Sequence, residues 1–199
     1  MAFQQYDKNH PKIIALLDKY QITPNDQVIL SLGRVSQEKS IDLIINQMDT
    51  LIRSNPNTKL LIVGDGPYRH KLEKLCTSLN LNEHVIFTGQ VPFDQVSYFY
   101  SIANVFVSAS KTETQGLTIM EAMASEVPVV VYDDLNVKDI VINDVSGRLF
   151  TTEEELTHQL QDCLSNTLKT NTLKKEALVI VQSLSKETYA KNAEHVYNQ

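Results

Sequence analysis

The chain has 199 residues, 42% of them hydrophobic, which is enough for one large domain with a substantial buried core. A formal net charge of −6 and a pI near 5.3 exclude the clustered cationic footprint that nucleic-acid backbones require. No apolar run approaches the ~18 residues of a membrane span, and the polar start "MAFQQYDKNHPK" lacks the apolar stretch of a signal peptide, as the start of an excised domain would.

In chain order, a first helix is expected around Pro11 to Tyr20. Short apolar runs rich in β-branched residues then recur: "QVILSLG" (Gln27 to Gly33), "KLLIVG" (Lys59 to Gly64), "HVIFTG" (His84 to Gly89), "NVFVSAS" (Asn104 to Ser110) and "VPVVVYD" (Val127 to Asp133). Continuous runs of this kind suit strands buried on both faces of a parallel sheet. Between them, "SIDLIINQMDTLIRSN" repeats apolar residues at Ile41, Ile44, Ile45, Met48 and Ile52, which is helical spacing, and "YRHKLEKLCTSLN" does the same with Leu72, Leu75, Cys76 and Leu79. Tyr98, Phe99 and Tyr100 read as packing a further helix against the sheet. A weaker sixth strand, "GRLF" (Gly147 to Phe150), precedes two or three helices over Glu153 to Gln199, opened by an acidic run at Glu153 to Glu155 that suits a capped helix start after Thr151 or Thr152. The last segment, "KETYAKNAEHVYN", is amphipathic enough to dock. The whole predicts an α/β fold: a doubly wound, Rossmann-like parallel sheet of about six strands with a helical C-terminal extension, in a single domain.

Such a sheet binds ligands beyond the carboxyl ends of its strands, at the switch point. The segments leaving those ends are "GRVSQEKS", "GDGPYR", "GQVPFD", "SKTETQG" and "YDDLN". Gly33 followed by Arg34 and Lys39 gives a close backbone turn and two cations, an arrangement suited to phosphate; a solvated, charged helix start would present the same residues. The loop after Gly33 is not a Walker A loop, which would require Gly-Lys-Ser/Thr, and "GDGPYR" is not a dinucleotide fingerprint, because Arg69 stands where the third Gly belongs. In "TETQGLTIMEAMA" a helix is expected to begin near Gly116, leaving the N–H groups of Gly116 and Leu117 unpaired and ready for an anion. Glu113 precedes that helix start and Glu121 follows it by about a turn. Each carboxylate can accept two hydrogen bonds from a vicinal diol, so the pair suits two sugars either side of a diphosphate, while capping and surface roles explain the same glutamates.

Taken together, "SLGRVSQEKSID", "LLIVGDGP", "VIFTGQVP" and "SASKTETQGLTIMEAMASEVPVVV" closely resemble the C-terminal donor-binding domain of retaining GT-B glycosyltransferases, whose best-known signature is Glu-x7-Glu. The resemblance runs from about Val28 to Phe150, and "YAKNAEHVY" resembles the closing helix. Within the family, "KTETQGLT" is most similar to bacterial diacylglycerol glucosyltransferases; broader members usually have Phe before the Gly, where this chain has Gln115. The resemblance implies that Arg34 and Lys39 clamp the diphosphate and, with Glu113, form the catalytic set. It implies that Gly33, Gly116 and Leu117 face the phosphates with their backbone, that Val91 lies beside the base, and that Glu121 holds the ribose and Glu113 the transferred hexose. Gln115 joins the donor-binding residues, and Gly64 and Gly66 shape a neighbouring loop.

The implied donor is a nucleotide diphosphate sugar, UDP-glucose, with no cofactor and no obligatory metal because the cations and helix start take its place. The implied acceptor is diacylglycerol at the membrane surface, reached through an N-terminal acceptor domain absent from this chain, so the isolated domain is expected to be inactive. The expected location is cytoplasmic, with the full-length protein peripheral on the inner face of the cell membrane. A protein, teichoic-acid-like or saccharide acceptor stays open, as does a non-catalytic nucleotide-binding module.

Two departures from the family pattern stand out. Glu126 in "ASEVP" replaces a usual Gly, and if that position needs φ > 0 the substitution costs about 1 kcal/mol. Asn104 replaces a frequent Asp, with little expected effect on the site. His70, His84 and His158 stand alone without metal-ligand partners, and Cys76 and Cys163 read as reduced, packed thiols.

Overall fold

Alternation along the first strand separates the molecule into two layers. In this computed structural model, which describes residues 5–113, 115–165 and 167–197 with the side chains of 167 and 185–197 outside the description, β1 spans Gln27–Leu32. Val28 and Leu30 point into one core and Ile29 into the other, as the two-residue period of a strand requires. The remaining strands are β2 (Thr58–Val63), β3 (Val85–Gly89), β4 (Val105–Ser108), β5 (Val129–Tyr132) and β6 (Arg148–Phe150). All pairings are parallel, in the order β3-β2-β1-β4-β5-β6. The expected doubly wound sheet is therefore present, with most apolar runs trimmed at one or both ends and β2 starting one residue early, at Thr58. β5, for example, starts two residues after Val127 because Pro128 has no N–H to give a ladder, although its carbonyl accepts from Phe106 N–H at 2.9 Å.

One face is covered by α2 (Ile41–Ser54), α3 (Arg69–Ser78) and α6 (Glu153–Ser165), the other by α1 (Pro11–Lys19), α4 (Val96–Ile102), α5 (Leu117–Ala124) and α7 (Thr167–Tyr197). The spacing read for α2 holds: Ile41, Ile44, Ile45 and Met48 are buried, and Leu51 takes the next buried place while Ile52 is only partly covered. Tyr98, Phe99 and Tyr100 are buried in α4 as expected. α7 continues as one helix to Tyr197, but the docking face expected for Lys186 to Asn198 lies outside the described side chains.

The ends of these helices carry their own logic. Glu155 accepts from the N–H and hydroxyl of Thr151 at 2.7 and 2.8 Å, and Glu155 N–H donates to Thr152 Oγ1 at 3.2 Å, so the acidic run does cap α6. α5 closes with Glu126 at φ +54°; Glu126 N–H donates to Met123 O at 3.1 Å and Val127 N–H to Ala122 O at 2.9 Å. That pair is a Schellman closure, whose left-handed position prefers glycine, so the glutamate is strained there by about 1 kcal/mol. Asn104 Oδ1 accepts from Val28 N–H at 2.8 Å and holds the start of β1 to the edge of β4, far from the carboxyl ends. Arg148, 2% exposed, pairs with Asp144 and with Asp162 at 2.6 Å, and Lys169 reaches the same Asp162 at 3.3 Å, tying β6 to α6 and α7.

Cys76 and Cys163 are free and buried, and burial pushes both thiols up to about 11, which keeps them protonated and inert. Among the described residues no helix is long and apolar enough to cross a membrane, and no cluster of His, Cys, Asp and Glu could hold a metal ion.

Candidate functional site

The sheet order puts the switch point between β1 and β4, the two strands whose outgoing loops carry Arg34, Lys39 and Glu113. β1 pairs with β2 over six residues but with β4 over only two, Ile29 with Val105 and Leu30 with Phe106. Beyond Leu30 and Phe106 the strands part. Ser31, Leu32, Val107 and Ser108 then line a crevice rimmed by Gly33, Arg34, Lys39, Glu113 and Thr118.

The loop after β1 is held by backbone approach. Gly33 has φ +141°, which favours glycine, and a Cβ built there meets nothing within 4 Å, so its outer side is open for a ligand. Its N–H donates to Val63 O at 2.9 Å. A Cβ on Gly64 would lie 1.9 Å from Gly33 O, and one on Gly66 would lie 2.3 Å from Val35 O. Those two glycines shape the neighbouring loop, as their sequence position implied. Arg34 is exposed at the rim, while Lys39 ends a short 3-10 turn (Gln37–Lys39) and swings toward β4.

Lys39 Nζ meets Glu113 Oε2 at 3.1 Å. Glu113 is 8% exposed, so its charge is drawn out of water and set against a cation and a backbone donor. The donor is Gly116 N–H, 3.3 Å from Oε1. Here the structure corrects an expectation: the Gly116 N–H is not left unpaired at the helix start. Glu113 lies three residues upstream, and the loop returns its carboxylate onto that N–H in the manner of a cap. Gly116, at φ +59°, is the N-cap of α5, and a Cβ there would sit 2.6 Å from Ile140 Cδ1, so its conformation and its neighbours both demand glycine. Gln115 is exposed on the same loop, and Leu117 is exposed at the first position of α5.

Asn136, in the turn after β5, donates from Nδ2 to the Glu113 carbonyl at 2.7 Å and anchors the loop from outside. Nothing in the sequence pattern marked it; its partner is twenty-three positions away and is reached only because β5 lies next to β4.

Glu121 does not line the crevice; it sits one turn into α5, half-buried. Its Oε2 lies 3.0 Å from the Tyr100 hydroxyl. Burial raises the Glu121 carboxyl above its ordinary value, and the Tyr100 hydrogen bond pulls it partly back. Val91 is also set apart. It packs partly buried against the α1-side core and lines a separate groove with Leu16, Tyr20, Gln95 and Phe99. Gly33, Arg34, Lys39 and Glu113 are thus brought together, with Gly116 and Leu117 at the adjoining helix start and Glu121 behind it. The three histidines are elsewhere: His84 Nδ1 lies 2.9 Å from Thr58 O, His70 lies beside Glu73 and His158 is on α6.

A doubly wound sheet whose switch-point crevice is rimmed by an open glycine turn, two cations and the buried loop carboxylate of Glu113, with the half-buried Glu121 behind it on α5, has the fold of the GT-B glycosyltransferases. The fold superposes with TM-score 0.79 on Anabaena Alr3699/HepE, solved in complex with UDP-glucose, at 23% identity over 94% of this chain and 54% of that one. The chain belongs to the glycosyl transferases group 1 family, whose pattern matches residues 13–179. It is 37% identical over 188 residues to the alpha-monoglucosyldiacylglycerol synthase of Acholeplasma laidlawii, covering 94% of this chain and 47% of that protein. The enzyme of the same name from Streptococcus pneumoniae is 28% identical over 197 residues, 98% of this chain and 44% of that protein. The chain therefore spans about half the length of these relatives.

Proposed function

We propose that this chain is the donor-binding half of a retaining glucosyltransferase that takes UDP-glucose and glucosylates diacylglycerol in membrane glycolipid synthesis. The observation that carries the reading is the Lys39–Glu113 contact of 3.1 Å at the mouth of the β1/β4 crevice, beside the open face of Gly33. A cation and a carboxylate at that separation suit the junction between a diphosphate and a hexose, the former needing Lys39 and the latter an acceptor such as Glu113.

In this reading Gly33 presents its backbone to the phosphates, and Gly116 and Leu117 do so from the start of α5. Arg34 and Lys39 offset the negative charge that grows on the departing UDP, with no obligatory metal. Glu113 fixes the hexose hydroxyls, Gln115 borders the sugar from the same loop, Glu121 takes the ribose diol and Val91 lies toward the base. Lys39 exchanges part of its contact with Glu113 for the diphosphate when the donor arrives.

The acceptor assignment draws on the named activity of the relatives and on the half-length match, which leaves room in such proteins for a second domain to present the lipid and close the cleft. The full-length protein then works at the cytoplasmic membrane surface, and the 199-residue chain alone binds UDP but transfers no sugar.

The test is an assay of the full-length protein with radiolabelled UDP-glucose and diacylglycerol in detergent, with the product's anomeric configuration read by NMR. α-Glucosyldiacylglycerol is the expected product. Glucosylation of an added saccharide, peptide or polyol-phosphate but not of the lipid would overturn the acceptor while keeping the donor site. An inverted anomer would overturn retention. Absence of any UDP binding would overturn the whole reading.

A further inference from the structure

Tyr100 is fully buried in the core between α4 and the sheet, with its ring 6.2 Å from that of Phe106, yet it carries a polar end that a packing role does not require. The hydroxyl lies 3.0 Å from Glu121 Oε2 and 3.1 Å from the Thr118 carbonyl. A phenol has a single proton. With Glu121 ionised, that proton goes to the carboxylate, the more strongly accepting of the two.

We propose that Tyr100 is a positioning residue for donor binding: its hydroxyl pins Oε2 of Glu121 and leaves Oε1 and the outer lone pair of Oε2 for a vicinal diol. The inference rests on the ribose role given to Glu121 above. The geometry explains why a phenol serves better than a cation. A lysine there would occupy the carboxylate as Lys39 occupies Glu113, whereas a neutral donor takes one lone pair and leaves the charge for the ligand. Its hydrogen bond also favours the ionised form that two diol hydroxyls need, offsetting part of the burial that raises the Glu121 carboxyl. Among the described residues, Tyr100 is the titratable group that acts on Glu121. On α7, Lys174 takes its electrostatic interaction from Glu126 at the far end of α5, and the strands under α5 present Phe106, Val129 and Val131 to this core.

Tyr100→Phe removes one oxygen and keeps the ring packing. Calorimetric titration of the full-length protein with UDP should show a dissociation constant raised about three- to tenfold. Inorganic diphosphate, which has no ribose, should bind unchanged. The pH below which UDP affinity falls should move upward in Tyr100→Phe, a displacement that a purely structural tyrosine would not cause. In a Glu121→Ala background, Tyr100→Phe should cost nothing further. An equal loss for UDP and diphosphate, or the same loss in the Glu121→Ala background, would mean that Tyr100 acts through the fold and would overturn the inference. If Glu121→Ala weakens UDP and Tyr100→Phe does not, the inference falls and the ribose reading survives. If Glu121→Ala leaves UDP affinity intact, the ribose reading fails and takes this inference with it.

Discussion

The loop that carries Glu113 and the helix turn that carries Glu121 solve the same problem in opposite ways. Glu113 is almost wholly withdrawn from solvent, and its carboxylate is met by Lys39 and the Gly116 N–H. Glu121 is only half-buried and is met by a neutral phenol. The first carboxylate has its charge balanced before any ligand arrives; the second keeps its charge and most of its accepting capacity in reserve. Ligand binding at Glu113 is therefore an exchange of partners, whereas at Glu121 it is an addition. The two should answer differently to mutation, to pH and to the choice of ligand.

The largest combined effect on affinity and stability is expected at Lys39. Lys39→Met removes a charge-assisted contact to the diphosphate worth roughly 1.5–3 kcal/mol, so UDP affinity should fall about ten- to a hundredfold by titration. It also leaves the buried Glu113 one charge partner short, and the melting temperature should drop by roughly 2–4 °C for each kcal/mol lost. Adding Glu113→Gln should restore the melting temperature but not the UDP affinity. A double variant that recovers neither would show that the pair is not coupled.

The helix carboxylate should instead reveal itself through pH. Because burial raises the Glu121 carboxyl in the folded state, folding favours its protonated form. The stability it supports is full below the unfolded carboxyl value and is lost as pH rises through the folded value. Glu121→Gln should thus raise the melting temperature at pH 7 and leave it unchanged near pH 4, even as it weakens UDP. A lower melting temperature at pH 7 would contradict the burial argument.

A smaller effect is expected at Asn136, which holds the Glu113 loop by one neutral hydrogen bond of 2.7 Å. Asn136→Ala should cost about 1 kcal/mol of positioning, roughly a fivefold fall in the transfer rate of the full-length enzyme, with UDP affinity nearly constant. Equal losses in both would place its role in the fold rather than on the hexose side. At the far end of α5, Glu126→Gly relieves the left-handed strain and should raise stability by about 1 kcal/mol without changing UDP affinity. Any change in UDP affinity would show that the two ends of α5 are coupled.

Much of this was legible in the sequence because it rests on local pattern. The apolar runs became strands, Gly33 marked the turn after β1, and the glutamate at position 126 announced a left-handed position that the structure contains. What remained hidden depends on which strands become neighbours. Tyr100 reads as a core aromatic, and only the packing of α4 beside α5 sets its hydroxyl on Glu121. Asn136 has no pattern at all until β5 is laid beside β4. The expectation of an unpaired Gly116 N–H failed for a local reason: a carboxylate three residues upstream can fold back and cap it, and the sequence admits that loop shape and the open one equally.

The most direct test compares two variants with two ligands. Titration of Glu113→Gln and Glu121→Gln with UDP and with UDP-glucose separates the sugars that each carboxylate is said to hold. Glu121→Gln should weaken both ligands by about ten- to a hundredfold, since both carry the ribose. Glu113→Gln should leave UDP nearly unchanged and remove the extra affinity that UDP-glucose gains from its hexose. Equal loss of UDP affinity in both variants, or loss in neither, would contradict the assignment of one carboxylate to each sugar.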